Sequence, residues 1–233
     1  MRAKVLAVVA ALVVSNGGAF GDARHGGASS DHLIPLNVNG DKRYRQLYEK
    51  KLFLTPGGLA RAVHLPSDAQ VEAAVSVYET NPASAADTKF RVTATEASAR
   101  LWDCIPSGDE KFTGRRLPSA ESIHTLRWDA DLPASTASKI RALWIATLRK
   151  TQPEQCVNCV SVDSSVEIFS AVDSKNEHLE GQISKKPGKT TLGMVKIAFA
   201  LMQYARADAH ERPALAKNIE RDATALLSAV STR

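Results

Sequence analysis

The chain has 233 residues, 30 of them lysine or arginine against 25 aspartates and glutamates, for a formal net charge of +5. That length suits one domain with a substantial core. The charge is too small to argue for a nucleic-acid-binding surface.

The start of the chain accounts for part of the excess. Arg2 and Lys4 precede an apolar run from Val5 to Val14, which Ser15 to Gly18 interrupt. Ala19-Phe20-Gly21 then supply small residues of the kind a signal peptidase accepts. The run is much shorter than the about 20 apolar residues needed to span a bilayer. No cysteine follows it to carry a lipid. Residues 1–21 are therefore expected to be a signal peptide cut after Gly21, or as second choice after Ala23. The mature chain is then periplasmic or secreted, without a transmembrane segment. Its balance falls to 28 basic against 25 acidic residues, and no nucleic-acid partner is expected.

Residues 22–41 are rich in Gly, Ser, Asp and Asn and read as a flexible leader. Residues 42–233 read as a single domain. Lys42 to Phe53 sets Tyr44, Leu47, Tyr48 and Leu52 on one helical stripe among Lys42, Arg43, Arg45, Lys50 and Lys51. Packing of that stripe on the domain is the leading reading; contact with a membrane surface through the five basic residues is the weaker one.

Strands are expected over Leu59–Leu65, Val71–Glu79 and Lys89–Thr95, separated by Pro, Asn and Ser clusters. A short helix is favoured over Glu96–Asp103. Residues 106–119, with two prolines and two glycines, read as a long loop. Ser122–Ala130 returns to strand. After Pro133, Ser135 and Thr136, a helix follows with Ile140, Leu143, Trp144 and Leu148 inward. Cys156–Val162, Val166–Val172 and His178–Ser184 read as strands, the last two joined by a turn at Asp173-Ser174-Lys175-Asn176. Two helices close the chain as an antiparallel pair. The first is capped by Thr190 or Thr191, with Leu192, Val195, Phe199 and Met202 inward. The second opens near Pro213, with Leu215, Ile219, Leu226 and Val230 inward. Neighbouring strands with segregated helices imply an α+β fold built on a largely antiparallel sheet.

Few residues point to chemistry. Lys186-Pro187-Gly188-Lys189-Thr190-Thr191 resembles the end of a phosphate loop, but Ile183 stands where the first glycine belongs. A Pro-Gly turn into a helix explains it better. Cys156 and Cys159 have the spacing of a thiol–disulfide pair, yet they follow a helix instead of opening one, where the dipole would lower a thiol pKa. A disulfide from Cys104 to one of them, or three free thiols, are the structural readings. No haem or zinc motif is complete, and neither cofactor nor metal is expected.

His124, inside a predicted strand beside Leu126 and Trp128, reads first as a core residue. Asp129 and Asp131 read first as turn or capping residues before the helix. Together the three are the weak candidates for a hydrolase. Trp102, Trp128 and Trp144 read as packing residues. The leading expectation is a non-enzymatic exported protein that binds a partner protein or small ligand. A periplasmic hydrolase is the alternative and a redox protein the third.

Overall fold

The computed structural model describes residues 31–36, 42–53, 58–67, 70–80, 89–106, 117–153, 165–183 and 187–232. Six strands, β1 (Ala60–Leu65), β2 (Ala73–Glu79), β3 (Phe90–Ala97), β4 (Thr125–Leu132), β5 (Val166–Val172) and β6 (His178–Gln182), form one sheet. Their order is β4-β3-β2-β1-β5-β6, and every neighbouring pair is antiparallel. Four α-helices accompany it among the described residues: α1 (Lys42–Leu52), α2 (Ala134–Leu148), α3 (Lys189–Arg206) and α4 (Arg212–Ser231). The fold is α+β with a C-terminal helical pair, as the alternation of the strands and the two late helical patterns imply.

Successive side chains of a strand point to opposite faces, so each strand serves two environments. One face presents Ala60, Ala62, Ala73, Val75, Val77, Val92, Ala94, Ala130, Phe169 and Ala171, all buried in the main core. Small residues dominate it, and the bulk comes from the helices: Ile140, Leu143 and Trp144 of α2, Met194 and Leu201 of α3. Trp144 packs edge-on to Phe169 at 5.3 Å, and its indole N–H donates to the Arg61 carbonyl at 3.0 Å. Helix α4 adds Ala216, Ile219, Ala223 and Val230 and packs against α2 and α3 more than against the sheet.

The opposite face is half covered by α1. Tyr48 and Leu52 bury themselves with Val63, Ala74, Ala97, Leu101 and Ile123, with Tyr44 and Leu47 alongside. The amphipathic stripe thus packs on the sheet, as the leading reading has it. Of its five basic residues, Arg45 bonds Glu49 and Glu180, Lys51 donates to the Ile123 carbonyl and Arg43 to that of Pro106. Lys42 and Lys50 are exposed.

The structure departs from the sequence expectations at several points. Residues 31–36, placed in the flexible leader, are packed: Leu33 and Ile34 are buried, and Ile34 exchanges two backbone hydrogen bonds with Gln182 on the outer edge of β6. The short helix expected over Glu96–Asp103 is instead the end of β3, a bend, and one 3-10 turn at Trp102–Cys104. Buried Glu72 holds that turn, accepting from the Leu101 and Trp102 amides and the Tyr44 hydroxyl. Residues 107–116 of the long loop and the strand expected over Cys156–Val162 lie outside the described residues.

Candidate functional site

The strand register draws one line of six polar side chains across the α1 face. From β4 to β6 they are Asp129, Thr93, Ser76, Arg61, Ser170 and Glu180, each directly opposite the next. With strands about 4.8 Å apart, the line runs about 24 Å across the sheet. It lies beside the apolar patch that α1 covers. Ser76, Thr93 and Ser170 are buried.

The β1–β5–β6 end of this line floors a pocket of about 370 Å³ walled by Arg45, Glu49 and Phe53 and lined by Arg61, Ser170, His178 and Glu180. That volume is at the lower end of small-molecule sites. Two serines flank Arg61 on the neighbouring strands and leave it room. Its guanidinium carbon stands 4.7 Å from the centre of the Phe53 ring, a cation–π contact. The Arg61 side chain lies close over Gly58, where a Cβ would come within 2.3 Å of its Nε and displace it. Burial pushes the Arg61 guanidinium below its ordinary pKa, and Glu49 offsets part of that loss.

The pocket's other charges are tied to one another. Arg45 Nη2 donates to both oxygens of Glu180 at 2.9 Å, and its Nε to Glu49 at 2.7 Å. His178 Nε2 lies 2.8 Å from Glu180 Oε1. Burial resists ionisation of Glu180, but the bonds from His178 and Arg45 outweigh it and hold the carboxyl below its ordinary range. The same carboxylates raise the Arg45 pKa against the cost of its burial. Arg45 and Glu180 thus form a locked wall, with Arg61 as the desolvated cation facing the cavity.

At the far end of the line, Asp129 accepts from the Thr93 hydroxyl at 2.6 Å, from Tyr78 at 3.4 Å and from Nε and Nη2 of Arg127. Arg127 above all, then Thr93, lowers its pKa despite partial burial. A carboxylate so held is a weak base, ill suited to taking a proton near neutral pH.

Of the hydrolase candidates, Asp129 and Asp131 are neighbours on one face of β4, but His124 does not join them. His124 lies just outside β4 and is exposed; its backbone bonds Ser98 through both the amide and the carbonyl. Five residues of extended chain put it about 17 Å from Asp129. Asp131 has 82% of its side chain exposed and pairs with Arg91 at 3.4 Å. Neither aspartate caps α2: both sit within β4, and Pro133 precedes the helix without a side-chain cap. Cys104 is a free thiol whose pKa burial and Asp103 raise; Cys156 and Cys159 lie outside the described residues. Trp102 is 47% exposed, edge-on to Tyr44, unlike the packed Trp144.

The start of α3 is also settled by geometry, while Lys186 of the motif lies outside the described residues. Neither threonine caps the helix; the Asp31 carboxylate does, accepting from the Thr190 amide at 2.6 Å across 159 positions of sequence. A carboxylate of the chain itself occupies the place a phosphate would take.

Two further features lie elsewhere. On the helical face His64 Nδ1 and Glu167 Oε1 are 2.5 Å apart, both largely buried, with the His64 ring edge-on to Phe199. Burial raises the Glu167 pKa, and His64 opposes it. A hollow of about 570 Å³ between Pro133, Thr136 and α4 has its acid, Glu220, already bonded by Ser135 and Thr136. No cluster of three His, Cys, Asp or Glu suited to a metal ion stands among the described residues.

Sequence reasoning missed Arg61, Ser76, Ser170 and Glu180. No pattern along any one strand singles them out, since Arg61 and Ser170 share their faces with apolar residues, and nothing short of the register lines them up. No protein-family model, curated protein or solved structure matches the chain.

Proposed function

We propose that this is an exported, non-enzymatic binding protein whose pocket between α1 and the sheet takes a small anionic molecule bearing a carboxylate or phosphate. The observation that carries the reading is Arg61: a half-buried guanidinium at the centre of a polar line, held over Phe53 and lining a cavity of ligand size. An incoming anion would accept charge-assisted bonds from this partly dehydrated guanidinium, and bonds of this kind are the strong ones. The locked Arg45–Glu180 wall shapes the cavity without competing for the ligand. Export rests on the charged start, the short apolar run and the small residues at Ala19 to Gly21.

Binding is measured by calorimetry and thermal shift against small mono- and dicarboxylates and phosphorylated compounds. Ligands that bind the wild type are expected to weaken at least about 30-fold with Arg61→Met, the loss of about 2 kcal/mol from a charged hydrogen bond. Arg91→Met, outside the pocket, should bind as the wild type does. Stabilisation by these anions that is equal in Arg61→Met and wild type would sink the proposal, as would none across the whole panel.

A further inference from the structure

The two edges of the sheet are finished differently. The β6 edge is paired at its end by the chain itself, where Ile34 exchanges both backbone bonds with Gln182. The β4 edge pairs with no strand among the described residues. Its orientation follows from His124, whose amide and carbonyl both turn to Ser98 at the end of β3. Hydrogen bonding alternates along an antiparallel strand, so Leu126, Trp128, Ala130 and Leu132 bond β3. The amides and carbonyls of Thr125, Arg127, Asp129 and Asp131 point outward. Tyr204 confirms the direction by donating its hydroxyl to the Asp131 carbonyl at 2.6 Å.

An edge that pairs with no strand among the described residues invites another strand, and charges usually repel it. Here the charges do the opposite. A second copy approaching antiparallel about a two-fold axis must set outward residues against outward residues, which leaves a small set of registers. Centred on Arg127, two arginines face each other. Centred on Asp129, two aspartates do. Centred on Trp128, Arg127 of each copy faces Asp129 of the other, and Thr125 faces Asp131. That register also brings Leu126, 49% exposed, against Ala130 of the other copy and sets the two Trp128 rings side by side as a close, non-hydrogen-bonded pair.

We infer that two copies of this chain join β4 to β4 in the register centred on Trp128, making one continuous twelve-stranded antiparallel sheet. Four backbone bonds between the Arg127 and Asp129 residues form its centre. Each copy trades the Arg127–Asp129 ion pair within its own strand for one across the axis. The contact is isologous and closes on itself, so it stops at two.

Sedimentation and light scattering of the full chain over a concentration series test this, with hydrogen exchange read at single amides. The wild type is expected to dimerise, and the Arg127 and Asp129 amides to gain protection with concentration while Leu126 and Trp128 stay protected throughout. Arg127→Asp sets aspartate against aspartate and Asp129→Arg sets arginine against arginine; each should weaken dimerisation at least tenfold. The Arg127→Asp, Asp129→Arg double variant restores opposite charges and should restore the dimer. Because Asp129 also holds Thr93, the exchange pattern of the wild type decides if the swapped chain fails to fold. A wild type that stays monomeric at its highest soluble concentration overturns the inference. So does a dimer that survives both single reversals, or one whose Arg127 and Asp129 amides exchange freely.

Discussion

Asp173 shows how much one buried carboxylate organises. Its Oδ1 accepts from the Lys175 and Glu177 amides, and its Oδ2 from Arg149 at 2.7 Å, so it closes the β5–β6 hairpin and ties it to the end of α2. Asn176 completes the turn in the left-handed region at φ 60°, where asparagine is tolerated. The Glu177 amide, then Arg149, holds the Asp173 carboxyl below its ordinary range. A depressed folded pKa gives stability that is fully present above the unfolded value of about 3.9 and is lost as pH falls through the folded one. Asp173→Asn should therefore be less stable than the wild type at neutral pH. The gap should narrow as denaturation is followed from about pH 5 downward. A gap that stays constant down to the lowest pH would mean that the charge contributes nothing.

At the scale of elements, the C-terminal helices separate what periodicity determines from what packing decides. Leu226 of α4 rests its methyl groups where a side chain at Gly193 of α3 would stand; a Cβ there would be 2.5 Å from Leu226 Cδ1. Leu226→Asp should cost about 2 kcal/mol in chemical denaturation. Leu192→Asp, at a site 46% exposed, should change stability by about 0.5 kcal/mol or less. Equal losses in the two variants would show that the packed side of α3 has been misassigned. The sequence pattern alone makes that error, because it turns Leu192 and Phe199 inward and both are exposed. Apolar residues run nearly all round α3, so several stripes fit. The sheet and α4 select the one with Met194, Ile197, Ala198, Leu201 and Ala205, whose alanines allow close approach. In α2 polar residues leave a single stripe, and Ile140, Leu143, Trp144 and Leu148 are all buried as read. The strands were legible from alternation and turn residues to within a few positions. The polar line was not, since it is made by register between segments far apart in sequence.

For the whole molecule, residues 31–36 extend the packed structure ahead of α1. Residues 31–36 act as a strap: Asp31 caps α3, the Leu33 carbonyl accepts from the Gln152 amide, and Ile34 bridges Gln182 at the end of the β6 edge. Three elements distant in sequence are joined by six residues that composition marks as linker. Leu33 is wholly buried beside Gly181, where a side chain would crowd it. Leu33→Ala should cost about 3 kcal/mol as a core truncation, and Asp31→Ala about 1 kcal/mol as a lost cap. The strap also bears on export. Cleavage after Gly21 or Ala23 leaves it whole, whereas any cut beyond residue 31 removes the α3 cap and then the Ile34 bridge. The protein recovered from its source cell is accordingly expected to begin at Asp22 or Arg24 by intact mass and to melt as the uncut chain does. A mature form starting beyond residue 36 with undiminished stability would show that the strap is dispensable.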